Sequence, residues 1–389
     1  MPELTQILTK ATKTTPIVSK RILVIDALRG FTLFGILVIH SYASFIWIWE
    51  SSPDPGKISF LDMIINNNLG NLFSNTLYSI FSFLFGLSFA IQLQNAISKK
   101  KPFKRKFIWR LFILLLIGYF HSLFFERDIL QLYALLGMLL VLSSNLKNKT
   151  LLLLSSLFFI LSIVVILVNT ELSEIIVPLG ESARALGFLE LLGLGKFDSQ
   201  ILSGRLFSTA SLFILGFFAG RKNIFKKNSE NNRLFNRVLY TSGVIAVTSY
   251  IIFKWSSINA WPEACTQAIY AVERIAQSFF YVAVIVKLYQ INLFQNILNY
   301  LVPAGKMGLT TYIMQSAFII LFYNLSASTI NHLGLANAIG ITCIFFILQI
   351  LFAYCWLSRY RYGPLEWVWR SLTHLEWLPI QKQPIYNVR

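Results

Sequence analysis

The chain has 389 residues, 56% of them hydrophobic and 13% charged, with a formal net charge of +17. A soluble protein this apolar has too little polar surface to cover itself, and runs such as 151–168 carry no charge, so a bilayer is the expected solvent. The basic residues lie between apolar segments, which assigns the charge to membrane topology and not to nucleic-acid binding. Three cysteines, none in a C-x-x-C, argue against a disulfide framework or a thiolate metal site.

In chain order, residues 1–20 are polar and read as a cytoplasmic tail, because the first apolar stretch is too long for a cleaved signal peptide. The predicted spans are 22–49, 71–95, 107–125, 128–145, 151–169, 204–220, 237–254, 266–289, 307–325 and 336–357. The third and fourth follow each other so closely that they form a tight helical hairpin. Segment 183–195, interrupted by Gly187, Glu190, Gly193 and Gly195, reads as an interfacial or re-entrant piece. The transmembrane domain is thus 21–357, and 358–389 is a second tail. Of the 34 Lys and Arg residues, 26 fall in the N-tail, the even-numbered connections and the C-tail with their flanking residues, six fall in the odd-numbered connections and their flanks, and Arg29 and Arg274 lie deeper within spans. This alternation places both termini in the cytoplasm. The expected fold is all-α: a multi-pass bundle of about ten helices in the cell (inner) membrane.

Charges inside spans are costly and point to function by default. Arg29 and His40 are separated by ten residues, which is close to three turns, so they share one helix face about 16 Å apart; Asp26 is three residues from Arg29 and within pairing reach. The plain alternative is a snorkelling arginine and a histidine filling a polar gap. Arg110 and His121 repeat the Arg-x10-His spacing in the third span, although Arg110 also ends a basic loop and serves as an anchor. Glu126, Arg127 and Asp128 form an outer turn beside His121, where a carboxylate can orient an imidazole; a charged turn outside a membrane is otherwise ordinary. Glu273 and Arg274, with Gln277 and Ser278, lie about two turns deep in the eighth span, too deep for simple anchoring. His40, His121, Glu273 and Arg274 all fall in the outer half and are expected to line one cavity. His332 and His374 read as surface residues. Gly216 and Gly220 fit G-x-x-x-G, a weak packing signal.

Several motifs occur in one order: RILVIDALRGFTLFGIL at 21–37, FSFLFGLSF at 81–89, IGYFH at 117–121, DILQLYALLG at 128–137, AGKMGLTTYIMQS at 304–316 and GPLEWVWR at 363–370. Together they resemble the YeiB-like proteins, catalogued as a domain of unknown function (DUF418), over residues 21 to 373, with the C-terminal signature from about 295. That family is similar in turn to a superfamily of transmembrane acyltransferases, which includes the type 3 acyltransferases and the lysosomal heparan glucosaminide acetyltransferases. The type 3 enzymes carry Arg-x10-His in the first span, which maps onto Arg29 and His40. Many YeiB-like relatives carry Asn at the last of these positions, so His40 departs from their pattern, and either His40 or His121 remains open as the base.

The resemblance implies acyl transfer. An acyl-CoA donor, first of all acetyl-CoA, would approach from the cytoplasm and place a phosphate or polar arm on Arg29 or Arg110. His40 or His121 would take a proton from a hydroxyl or amine. Glu126, Asp128 or Glu273 would orient the imidazole, and Arg274 would face the developing oxyanion. The acceptor is a small molecule, a lipid or a glycan; membrane lipids are the expected surroundings, and a homodimer is an open option. No metal, bound redox cofactor or nucleic acid is expected. A transporter lined by the same charges is the rival reading.

Overall fold

The computed structural model describes residues 22–50, 59–185, 197–324 and 333–382. The polar N-tail, the interrupted 186–196 stretch and His332 lie outside the described residues. In chain order the helices are α1 (Leu23–Glu50), α2 (Phe60–Phe73), α3 (Thr76–Ser98), α4 (Lys104–Ser122), α5 (Leu130–Ser143), α6 (Asn148–Leu167), α7 (Asn169–Ala185), α8 (Phe197–Leu202), α9 (Arg205–Arg221), α10 (Ser229–Ile258), α11 (Glu263–Leu288), α12 (Asn292–Asn299), α13 (Val302–Lys306), α14 (Gly308–Ile319), α15 (Leu335–Arg359) and α16 (Pro364–His374). A π-helical turn, Ile320–Asn324, extends α14. The described residues hold no strand beyond a single bridge between Tyr360 and Gln381.

The protein is an all-α membrane bundle. In hydrocarbon each backbone N–H and C=O must be paired within its own segment, and the helix does this. Among the described residues six stretches are helical, long and apolar enough to cross: Leu23–Ile48, Phe60–Ser98, Asn148–Leu167, Ser229–Ile258, Glu263–Leu288 and Leu335–Arg359. The other four predicted segments are helical too, as α4, α5, α9 and α14. Phe120, Leu142, Leu153, Val244, Ile251 and Ile347 are exposed, as lipid-facing positions must be.

Two features differ from the sequence reading. The predicted span at 71–95 begins inside α2, and the helix breaks at Ser74 and Asn75 before α3 starts. Asn75 adopts the left-handed conformation (φ 58°), which Asn tolerates better than most residues. The connection before it is not a simple loop: α2 opens with a capping box between Ser59 and Asp62. Asp62 also accepts from Ala336 N at 2.8 Å, which caps α15. In the C-tail, α16 folds back onto α4. Trp369 Nε1 donates to Arg110 O at 3.0 Å, and Trp109 Nε1 donates to Leu372 O at 3.0 Å. Glu366 accepts from Leu309 N and Thr310 Oγ1 at 2.7 and 2.6 Å, joining α16 to the start of α14. Burial pushes the Glu366 carboxyl above its ordinary range, against these hydrogen bonds.

The backbones of α3 and α9 pack closely. A Cβ on Gly86 would stand 1.9 Å from Phe213 O, and one on Gly216 would stand 2.0 Å from Phe83 O. Only glycine allows backbones this close, so the G-x-x-x-G at 216–220 is a packing motif. Around it Phe85 stacks on Phe213 with ring centres 4.7 Å apart, and Phe89 meets Phe217 edge-on. A second, larger core surrounds α1.

Candidate functional site

At one end of the bundle the α4–α5 turn brings His121 and Asp128 together. Nδ1 of His121 lies 2.6 Å from Asp128 Oδ1, and both side chains are buried. A carboxylate only accepts, so Nδ1 carries the proton, and in the neutral ring Nε2 presents its lone pair. Nε2 is buried and has no hydrogen-bond partner among the described residues. The other Asp128 oxygen accepts from Leu130 N and Gln131 N at 3.0 and 3.3 Å, so the residue that orients the imidazole also caps α5. Phe125 lies between the two histidines, with ring centres 5.3 Å from His40 and 5.6 Å from His121. Tyr312 of α14 packs on His121 from another side at 5.4 Å. Glu126 is exposed in the turn. Of the three carboxylates expected to orient a histidine, Asp128 is the one in contact.

At the other end the two predicted arginines converge on one face of α3. Arg29 pairs with Asp26 at 2.9 Å and donates to Ser88 Oγ. Arg110 donates to Gln92 Oε1 at 2.7 Å. Ser88 and Gln92 are one turn apart, and Gln92 Nε2 donates to Ser88 O at 3.1 Å. The guanidinium of Arg110 lies 3.9 Å from the ring centre of Trp369, so α16 closes this end. Arg110, held by a neutral acceptor beside the Arg29–Asp26 pair, suits a phosphate or another anion.

Glu273 and Arg274 form a buried ion pair on α11. Arg274 donates to Asn71 O, and its guanidinium lies 4.6 Å from the Tyr270 ring centre. Gln277 donates to Asn71 O at 3.2 Å and Tyr281 to Leu72 O at 3.1 Å. These groups satisfy the carbonyls that the α2–α3 break leaves open, with the cation at a helix C-terminus where the dipole favours it. No hydrogen bond, ion pair or ring contact joins Glu273 or Arg274 to either histidine among the described residues. Their position gives the buried pair a structural role at the α2–α3 break. Among the described residues no three His, Cys, Asp or Glu side chains are grouped to hold a metal.

A family model described as "Protein of unknown function (DUF418)" matches residues 219–376. An uncharacterized protein YxaH of Bacillus subtilis (strain 168) is 28% identical over 94% of this chain and 97% of its own length. An uncharacterized protein YeiB of Escherichia coli (strain K12) is 25% identical over 91% of this chain and 96% of its own. Residues 219–376 match that family model, and the chain is similar to the YeiB-like relatives over nearly its whole length. No solved structure matches it. Within this YeiB-like chain the family model spans the end of α9 to α16 and so includes Tyr312, Glu366 and Trp369, while the two Arg-x10-His helices lie in the part covered by the full-length relatives.

Sequence reasoning misses Tyr312, Trp369 and Arg205. Tyr312 and Trp369 look like ordinary aromatics of a membrane protein, and only the docking of α14 and α16 sets them against His121 and Arg110. Arg205 reads in sequence as a flanking charge. In the fold it begins α9, donates to Asn75 Oδ1 at 3.1 Å and lies over the Tyr78 ring at 5.6 Å.

Proposed function

We propose that this YeiB-like protein is a membrane-embedded acyltransferase. It moves an acyl group, first of all acetyl, from a cytoplasmic acyl-CoA donor to a hydroxyl or amine acceptor at the membrane or its extracytoplasmic face. The observation that carries the reading is the His121–Asp128 pair, with Nε2 buried and uncommitted. Such a base takes the acceptor proton as the acceptor oxygen or nitrogen attacks the thioester carbonyl. The C–S bond then breaks, and the imidazolium returns the proton to the leaving thiolate. Asp128 fixes the tautomer and stabilises the imidazolium.

Arg29 and Arg110 hold the phosphate-bearing part of the donor. Their distance from the histidines, about 16 Å along α1, suits a long donor arm that enters at one side and reacts near the other. In this reading both termini are cytoplasmic, ten helices cross the inner membrane, and the arginine end faces inward.

The test uses membranes from cells expressing the chain, given acetyl-CoA labelled in the acetyl group. Label should pass to a product other than CoA, with free thiol released in equal amount, and His121→Ala should abolish both. No transfer above control membranes, together with no thermal stabilisation of the purified protein by CoA, would remove the enzyme reading. A transporter is the second reading, favoured by the broken helix at Ser74 and Asn75 against the Glu273–Arg274 pair, since discontinuous helices build transport sites. It predicts flux that collapses in Glu273→Gln and no CoA-dependent product.

A further inference from the structure

Tyr312, in the second turn of α14, carries a hydroxyl that the fold leaves unused. Its side chain is buried, its ring centre lies 5.4 Å from that of His121, and the two planes meet at 56°. Neither the Tyr312 hydroxyl nor His121 Nε2 has a hydrogen-bond partner among the described residues, so the two do not bond each other. A buried polar atom without a partner is destabilising, and such atoms are few in folded proteins. Here two of them sit on side chains in contact, one a donor and the other an acceptor.

The position of Tyr312 against His121 is built by contacts that do not use its hydroxyl. Two residues earlier, Thr310 donates to Glu366 through its N–H and its hydroxyl at 3.2 and 2.6 Å. Three residues later, Gln315 donates to Leu33 O of α1 at 3.2 Å and to Gln349 Oε1 of α15 at 3.3 Å. The imidazole is held in turn by Asp128 on Nδ1 and by the Phe125 ring at 5.6 Å.

A phenol donates one hydrogen bond, and a neutral imidazole with its proton on Nδ1 accepts one at Nε2. A group that meets both must itself accept and donate. A hydroxyl does so with its proton and one lone pair, and keeps a second lone pair with which to attack a carbonyl. An amine nitrogen has a single lone pair, which the phenol would occupy, and a carboxylate has no proton to give. We propose that Tyr312 and His121 bind one ligand between them, and that the group they hold is a neutral hydroxyl. The naming of that hydroxyl as the acyl acceptor, in preference to an amine, rests on the acyl-transfer reading; the binding does not. In the reaction the hydroxyl proton passes to Nε2 as its oxygen bonds to the thioester carbon. The C–S bond then breaks, and the same proton goes to the leaving thiolate. Tyr312 orients the attacking oxygen and keeps its own proton.

The test has two arms. A structure of the full-length protein in lipid nanodiscs, at a resolution that orders water, should show one molecule, water where no ligand is present, within hydrogen-bond distance of both the Tyr312 hydroxyl and His121 Nε2. A direct bond between the two, a protein partner for either, or no molecule there would overturn the proposal. Tyr312→Phe should melt close to wild type, and a large fall would give the hydroxyl a structural role and overturn it too. In the second arm, membranes given acetyl-labelled acetyl-CoA should form a product whose label alkaline hydroxylamine releases, as it does from an ester and not from an amide. Tyr312→Phe should slow that product about two- to tenfold, as loss of one neutral hydrogen bond does, with CoA binding unchanged. An amide product, or a wild-type rate in Tyr312→Phe, would overturn the hydroxyl assignment. A bridging molecule without acetyl transfer would leave the site standing and remove the enzyme reading alone.

Discussion

Asp128 holds His121 through one carboxylate oxygen and the first turn of α5 through the other. The hairpin that positions the imidazole is therefore fixed by the same group that sets its tautomer. Asp128→Asn keeps an oxygen for the cap but cannot both cap and accept from Nδ1–H. The expected outcome is a near-normal melting temperature with acyl transfer reduced roughly 10²–10⁴-fold. Asp128→Ala should lose activity and also about 1 kcal/mol of stability from the cap. Thermal unfolding and product formation, measured on one preparation, separate the two effects.

The Glu273–Arg274 pair leads to a different expectation. Removing one partner of a buried ion pair leaves the other uncompensated, at a cost of about 3–5 kcal/mol. Arg274→Met should lower folded yield and melting temperature sharply, and Glu273→Met/Arg274→Met should recover part of the loss. A stable Arg274→Met with acyl transfer abolished would instead assign the arginine a chemical role.

Glycines test the packing. Gly86→Val would drive a side chain into the Phe213 carbonyl and should destabilise by about 1–3 kcal/mol or more, as overpacking does. Gly340 in α15 is the contrasting case, because a Cβ added there would meet nothing within 4 Å. Gly340→Ala should be neutral or stabilising by up to about 1 kcal/mol. Melting curves in one detergent provide the comparison.

The docking of α16 should depend on pH. His374 Nδ1 lies 2.9 Å from Lys106 Nζ, a contact that needs a neutral, accepting imidazole. Burial, then Lys106 and Arg370, hold its pKa below the ordinary histidine value of 6.5, against the pull of Glu376. A depressed pKa means that this contribution is present above 6.5 and is lost as pH falls through the folded value. Glu366 works in the opposite sense, because burial raises its pKa and favours the folded state as pH falls. Hydrogen exchange of 364–374 between about pH 8 and about pH 5, a range that brackets histidine titration, should show a loss of protection at the acid end that His374→Gln removes. Glu366→Gln should deepen that loss.

Orientation is checked with single cysteines in a cysteine-free background. Phe103→Cys and Asn228→Cys should react with an impermeant thiol reagent only from the cytoplasmic side, and Asp198→Cys only from the other. Reversed labelling at any of the three removes the proposed topology.

Much of the architecture is legible in the sequence because a bilayer leaves a chain few choices. Backbone groups in hydrocarbon must pair locally, so apolar length alone marks the helices, and a helix is found at each of the ten predicted segments. The Arg29–Asp26 pair and the nearness of His121 to Asp128 are also legible, since both depend on short separations within a helix or a turn. What only the tertiary structure decides are contacts between residues far apart in the chain. The break at Ser74 and Asn75 carries no proline or glycine to announce it, and one of its open carbonyls is met by Arg274, about two hundred residues later, so a buried charge that reads as functional in sequence also caps a helix in the fold. Arg205 reads as a flank, and only the turn at Gly204 sets it over Tyr78. The arginine end is likewise made by packing: Ser88 and Gln92 are ordinary polar residues alone, and they become a shared seat because α1 and α4 approach the same face of α3. Helical periodicity specifies which face a side chain occupies, but the partner across that face is set by close packing between helices, which no local pattern encodes.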